Sequence, residues 1–140
     1  MTLTQKNRLK LTPTEHDLLM RLCYHAARLY NVGLYSVRQH YFEHQRYLPY
    51  NENYHLCKTN ENYRLLLTDS GQQILRLVER DMKSFFGLLR LKKQGDYQPD
   101  VCLPRYKPKE GVMPLTVQGR SARIREGRVW LGFSRGFKKQ

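Results

Sequence analysis

The spacing of apolar residues predicts two long helices in the first two thirds of the chain. In the first helix, apolar and small residues recur at steps of three and four, at Leu18, Leu22, Ala26, Leu29, Gly33 and Val37. Thr12 and Glu15 have the spacing of a capping box and Pro13 suits a first turn, so we expect this helix to run from there to about residue 45. In the second helix, predicted over 71–93, the apolar face consists of Ile74, Val78, Met82, Phe85 and Leu89.

Shorter elements are predicted before and between these helices. Leu9 and Leu11 alternate with Lys10, which indicates an edge strand over 3–11. Residues 46–68 are rich in Tyr and Asn and include Pro49, which predicts a loop with one short helical turn near 61–66.

The last third of the chain predicts an extended linker followed by strands. The linker spans 96–111 and contains three prolines. We expect three strands, at 112–117, 120–125 and 128–133, and Glu126-Gly127 between the last two has the composition of a tight hairpin turn. One face of that hairpin is basic and the other apolar, which is typical of a nucleic-acid platform or of a charged edge that resists aggregation.

Charge is concentrated in the second half of the chain. The 140 residues include 25 Lys and Arg and 12 Asp and Glu, for a net charge of +13. Residues 71–140 hold 16 of these basic and six of these acidic side chains, a net charge of +10. Such clustering indicates a polyanionic partner, most simply nucleic acid, although solvated surface lysines and arginines are the ordinary alternative.

The second predicted helix carries part of this charge on one stripe. Arg76, Arg80, Lys83 and Arg90 follow at steps of four, three and seven, away from the apolar face. A basic stripe of this kind suits a helix that lies against phosphates. The alternative is a solvated face with an ion pair between Glu79 and Lys83.

The sequence predicts neither a metal site nor a catalytic centre. Phosphodiester cleavage by metal ions needs converging carboxylates, and the acidic residues do not form such a set; Asp81 is better interpreted as a charge partner. His40 and His44 have zinc-ligand spacing on a helix but lack a third ligand. Cys23 is expected in the core. We therefore expect no metal and no cofactor, and a chain without signal peptide or membrane span in a reducing compartment.

Five segments of the chain occur in an order that is typical of one family. They are Leu-Lys-Leu-Thr-Pro-Thr at 9–14, Ala-Ala-Arg-Leu-Tyr-Asn at 26–31, Gln-Gln at 72–73 followed by Lys-Ser-Phe-Phe at 83–86, Leu-Pro-Arg-Tyr-Lys at 103–107, and Ile-Arg-Glu-Gly-Arg-Val at 124–129. Together they resemble the N-terminal half of the TnpB (OrfB) proteins of insertion sequences. These proteins are RNA-guided DNA nucleases related to the type V CRISPR effectors.

The resemblance implies an α+β fold in which a helical recognition insertion interrupts a partial β-barrel wedge domain. Residues 1–11 would form the first barrel strand, 12–95 the helical insertion, and 96–140 a linker and returning strands of an incomplete barrel. It also implies a function, because the corresponding lobe of the family binds the guide RNA and the guide–target heteroduplex. The same lobe reads a short DNA motif beside the target, while base pairing supplies the sequence information.

Matched positions imply roles for individual residues. Glutamine bonds purine edges and aromatic rings stack on bases, so motif reading would involve Thr68, Gln72, Thr116, Tyr47, Tyr50 and Tyr54. Contacts to nucleic-acid phosphates would come from Arg76, Arg80, Lys83, Arg105, Lys107, Arg120, Arg123, Arg125 and Arg128.

The chain also departs from the family. The carboxylates of its RuvC-like nuclease domain and its Cys-x-x-Cys zinc ribbon are absent from the 140 residues, so we expect no enzymatic activity from this chain by itself. It would be a natural truncation, a split subunit or an excised fragment. The implied partners are guide RNA, target DNA, and the missing nuclease half or another copy, in the cytoplasm of a prokaryote near the nucleoid.

Two other functions are compatible with the sequence. The first is a stand-alone DNA-binding regulator with a helix-turn-helix, which the predicted loop at 46–68 disfavours because that motif needs a turn of three or four residues. The second is a structural subunit that completes a split nuclease.

Overall fold

The fold is α+β, with two long helices, three short ones and a small antiparallel sheet. It is a computed structural model that describes residues 1–139. The elements in chain order are α1 (Pro13–His44), α2 (Tyr50–Cys57), α3 (Glu61–Leu65), α4 (Thr68–Lys93), β1 (Ala122–Arg125), β2 (Arg128–Leu131) and α5 (Arg135–Lys138). None of the helices in this range is long and apolar enough to cross a membrane.

The prediction of α1 is confirmed at both ends. The Thr12 hydroxyl accepts a hydrogen bond from the Glu15 backbone N–H at 3.2 Å, and the Glu15 carboxylate accepts one from the Thr12 N–H at 2.9 Å. This is the predicted capping box, and it satisfies two backbone donors that the helix leaves unpaired. The helix ends at His44, and Gln45 follows in the left-handed conformation with φ 54°.

The core lies between α1 and α4. Leu29, Leu34 and Val37 of α1 are buried in one cluster with the apolar face of α4, of which Ile74, Val78, Met82 and Phe85 are buried and Leu89 is half-buried. Gly33 lies at the contact, because a Cβ placed on it would be 2.7 Å from Cδ2 of Leu75. The glycine therefore permits close packing of the two helices.

The prediction of a loop over 46–68 is wrong for residues 50–57, which form α2. Pro49 precedes this helix as its N-cap, with φ −63°, so the proline starts a helix there. Asn53 and Cys57 are the buried residues of α2, and their spacing of four places them on one helical face. Because Asn53 is polar, this face does not show the apolar periodicity that predicts a helix. The short turn predicted near 61–66 is confirmed as α3, and α4 begins at Thr68, three residues before the predicted start.

Two predicted strands are absent from the described residues, those at 3–11 and 112–117. Residues 1–12 have no regular structure, because no neighbouring strand offers hydrogen bonds to this segment. Leu9 is 48% exposed. The segment 112–117 instead bonds to helices. The Met113 N–H donates to the Cys23 carbonyl at 3.3 Å, and the Ser70 hydroxyl donates to the Thr116 carbonyl at 2.7 Å. A partial β-barrel is therefore not confirmed.

The predicted hairpin is confirmed in shorter form. Strands β1 and β2 pair antiparallel, with Arg123 opposite Trp130 and Ile124 opposite Val129. Glu126 and Gly127 connect them with φ of 50° and 70°, and positive φ at both positions is the geometry of a type I′ turn.

The residues after the helices fold back onto them. The segment 96–111 contains no helix or strand, and the Asn31 side chain holds it by accepting from the Lys107 N–H at 2.7 Å and donating to the Lys107 carbonyl at 3.0 Å. At the other end, α5 was not predicted; it buries Phe137 in the same cluster as the helices. The division at 11 and 95 stays a prediction.

Candidate nucleic-acid interface

An open groove follows the exposed side of α4. It begins in a hollow of about 250 Å³ between α4 and Thr116, and continues in a second hollow of about 460 Å³ that ends at Ser84. Arg76 and Arg80 line both hollows, so the two are adjacent. We call this feature the α4 groove and define it by Gln73, Arg76, Arg80, Lys83, Ser84 and Thr116.

Two of the groove cations have carboxylate neighbours at the surface. Arg80 pairs with Asp81 at 3.4 Å, as expected of Asp81, and Lys83 pairs with Glu79 at 3.3 Å. The Arg80 and Lys83 side chains are still 74% and 64% exposed. Surface pairs of this kind contribute about 0–1 kcal/mol, so both cations stay available to an incoming anion. The ion pair of the solvated-face alternative is thus present, and both of its partners, Glu79 and Lys83, line the second hollow.

Arg76 is oriented by the tyrosines of α2. Its guanidinium lies 4.3 Å from the centre of the Tyr50 ring, and Tyr50 stacks on Tyr54 with the ring centres 6.2 Å apart. Burial raises the pKa of Tyr50, and the positive charge of Arg76 acts in the opposite direction. The structure therefore brings together two tyrosines and one arginine that the sequence placed in different roles. Tyr47 lies nearby, edge-on to Phe86, where burial and then the Glu79 carboxylate raise its pKa.

The other residues predicted to read DNA lie at the start of α4. Thr68 is exposed at the first residue of the helix, and Gln72 is half-buried one turn later, beside Tyr63. With Arg76 they follow at steps of four, so they share one side of the helix. Thr116 is tied to the same end of α4 through the hydrogen bond from Ser70.

Arg120 is paired with a carboxylate of the protein, although its own side chain is 71% exposed. Its guanidinium donates two hydrogen bonds to the carboxylate of Asp69, whose side chain is only 7% exposed. Bidentate pairs of this type fix the arginine in place, so Arg120 ties the start of the hairpin segment to the first turn of α4. Sequence reasoning missed Asp69, because the two residues are 51 positions apart and nothing in the local pattern joins them.

The linker cations lie against α1 or in solvent. The Lys107 ammonium is 4.7 Å from the centre of the Tyr30 ring, and the neighbouring Arg38 guanidinium is 4.8 Å from that of Tyr106. Burial and a 2.6 Å hydrogen bond to Asp81 raise the pKa of Tyr30. Arg105 is exposed.

The hairpin gathers its arginines on one face as predicted, and Trp130 shares that face. The register places Arg123, Arg125, Arg128 and Trp130 on one face and Ile124 and Val129 on the other, because side chains alternate along a strand. All six side chains are exposed. Sequence reasoning assigned phosphate contacts to the arginines and overlooked Trp130, although the alternation of the strand already indicated that it shares their face.

Groups of three or more His, Cys, Asp or Glu side chains able to hold a metal ion are not found in residues 1–139. His40 and His44 do approach each other, with ring centres 4.6 Å apart. Cys23, which was expected in the core, is half-buried at its edge, where burial raises the pKa of its thiol. Cys57 is the cysteine that is buried.

The region between the two long helices contains a short turn, contrary to the long loop predicted there. Residues 58–60 form a three-residue turn between α2 and α3, so a turn of suitable length does exist. However, α3 has only five residues and packs against α1, α4 and α5. A recognition helix has to be exposed so that it can enter the major groove of DNA, whereas α3 is short and partly covered by these helices.

Comparisons of the chain with protein-family models, with curated proteins and with solved structures found no match.

Proposed function

We propose that this chain is a nucleic-acid-binding, non-catalytic lobe of a TnpB-like RNA-guided nuclease. In this role it binds the guide RNA and the guide–target heteroduplex and reads a short motif in the DNA beside the target. The proposal rests on the ordered resemblance of five segments and on the physical character of the α4 groove.

The observation that carries the proposal is the row of cations in the α4 groove. The two arginines, Arg76 and Arg80, line both hollows of the groove, and Lys83 lines the second. Phosphates repeat along a nucleic-acid backbone, so a row of cations on a rigid helix matches that repeat better than scattered charge does. The stacking of Arg76 on Tyr50 adds rigidity, because a fixed guanidinium loses less freedom on binding.

The start of α4 is the part of the proposed interface that would contact bases. Gln72 and Thr68 lie one turn apart there, and Thr116 is tied to the same place by Ser70. A glutamine side chain bonds an adenine edge through two hydrogen bonds, which phosphate contacts alone do not provide. Specific and non-specific contacts would then lie side by side along one helix.

The proposal assigns DNA cleavage to the nuclease domain of the family, whose carboxylates and zinc ribbon are not in these 140 residues. The partners are guide RNA, target DNA, and the nuclease half or a second copy, and no cofactor is required for binding. The hairpin would belong to the wedge domain. A protein with this function acts in the prokaryotic cytoplasm, near the nucleoid.

The test compares a structured RNA, copied from the end of the encoding element, with random duplex DNA of equal length. We expect tighter binding of the RNA at every salt concentration. Equal binding of all polyanions, abolished together by salt, would reduce the proposal to general basicity.

Gln72→Ala tests the assigned base contact. Discrimination between target-adjacent motifs should weaken by about 1–3 kcal/mol while affinity for unrelated duplex stays unchanged. Gln39→Ala is the matched control, since Gln39 is also half-buried in a long helix but belongs to α1 and not to the start of α4. A uniform loss of affinity in the Gln72 variant would refute the role.

A further inference from the structure

The basic face of the hairpin contains an exposed tryptophan. Trp130 is directly opposite Arg123 in the antiparallel register, and Arg125 is opposite Arg128 on the same face. The Trp130 side chain is 60% exposed. Cross-strand pairs have Cβ atoms about 5 Å apart, so Trp130 is a close neighbour of Arg123 and shares a face of the hairpin with all three arginines.

This face has no partner inside the chain. Among residues 1–139, the Trp130 side chain forms no hydrogen bond or ring contact, and Arg123, Arg125 and Arg128 form no ion pair. Other arginines in the protein do stack on rings, as Arg76 does on Tyr50 at 4.3 Å. A large exposed aromatic ring that shares one face with three unpaired cations indicates a binding surface for an aromatic, anionic partner.

We propose that this face, formed by Arg123, Arg125, Arg128 and Trp130, binds unpaired nucleotides of a single-stranded nucleic acid. Trp130 stacks on one base and the arginines contact the phosphates on either side of it. The inference rests on the proposed function and adds to it that the hairpin face binds single-stranded nucleic acid.

The tryptophan favours unpaired nucleotides over a duplex. A two-stranded ribbon also fits the major groove of duplex DNA, where arginines read guanine edges through hydrogen bonds. Trp130 has a single N–H donor for such an edge but a wide flat ring. That ring is matched by the face of a base, which is accessible when the base is not stacked in a duplex.

The single tryptophan of the chain makes the inference directly measurable. The full chain is titrated with a dye-labelled oligonucleotide while two signals are followed. Anisotropy of the dye reports total binding, and tryptophan fluorescence reports stacking on Trp130. We expect a single strand to quench the fluorescence and the matched duplex to quench it much less.

Variants separate stacking from damage to the hairpin. Trp130→Ala should weaken single-strand binding about five- to 100-fold, whereas Trp130→Phe retains a ring and should stay close to the parent. Val129→Ala on the opposite face is the control, because it removes a neighbouring strand side chain without touching the basic face. It should leave the affinity unchanged.

The other outcomes contradict the inference in distinguishable ways. Binding by anisotropy with unchanged tryptophan fluorescence would overturn the role of the hairpin and leave the proposed function standing. Binding of no nucleic acid at all would overturn both. Equal quenching by the duplex, or tighter binding to vesicles of anionic phospholipid than to the oligonucleotide, would show that unpaired nucleotides are not the partner.

Discussion

Gly33→Ala tests whether α1 and α4 pack as closely as the structure shows. In an open helix interior, alanine is about 1 kcal/mol more favourable than glycine. Here the new methyl group would be 2.7 Å from Cδ2 of Leu75, 3.4 Å from Val78 and 3.5 Å from the Asn53 amide. Leu75 is fully buried, so it has little space to move into. Overpacking of this kind costs about 1–3 kcal/mol, so we expect a net destabilisation of up to about 2 kcal/mol.

Gly87→Ala is the matched control, since Gly87 is also within a long helix but a Cβ there meets nothing within 4 Å. This variant should be stabilised by about 0.5–1 kcal/mol. Urea unfolding of both variants measures the two free energies of unfolding, and the Gly33 variant should be lower by at least about 1 kcal/mol. Equal stabilisation of both would refute the close helix contact at Gly33.

Two further predictions concern buried groups. Arg120→Gln leaves the buried carboxylate of Asp69 without its partner and should lower the free energy of unfolding by about 1 kcal/mol. The control Arg123→Gln, at an exposed site, should change it by less than about 0.5 kcal/mol. Equal changes in the two variants, measured by urea unfolding, would contradict a stabilising role for the Asp69–Arg120 ion pair. Burial raises the pKa of the Cys57 thiol from 9.0 to about 11, so between these values the unfolded chain loses this proton first and stability falls as pH rises. Cys57→Ala should flatten that decline, and in the folded parent near neutral pH a thiol reagent should label exposed Cys102 but not Cys57; rapid labelling of both would contradict the burial.

Local signals in the sequence were sufficient for the parts of the fold that depend on neighbours along the chain. Thr12 and Glu15 determine the start of α1 through contacts three residues apart, and Glu126-Gly127 determines the hairpin turn. The segment at 3–11 shows the limit of such signals. Its alternation fits a strand, but a strand forms when another strand lies beside it, and none does among the described residues.

Contacts between distant parts of the chain could not be predicted from local patterns. α2 was missed because Asn53, a polar residue, occupies a core position, where its amide donates to the Gly33 carbonyl at 3.3 Å. The Asp69–Arg120 pair joins residues far apart in sequence, and it gives one predicted phosphate contact a carboxylate partner inside the chain. By contrast, the basic stripe of α4 was predictable, because its spacing alone puts Arg76 and Arg80 on one side of a helix.

The central claim is that the α4 groove binds nucleic-acid phosphates, and the salt dependence of binding tests it most directly. Each lost phosphate contact reduces the slope of log affinity against log salt by about 0.7–0.9. Replacing Arg76, Arg80 and Lys83 together by Gln should therefore reduce the slope by about 2–3. A control with Lys6, Arg8 and Lys10 replaced by Gln makes the same change in net charge on the exposed N-terminal segment, and we expect it to keep the parental slope. An unchanged slope in the groove variant, or an equal reduction in both variants, would contradict the claim.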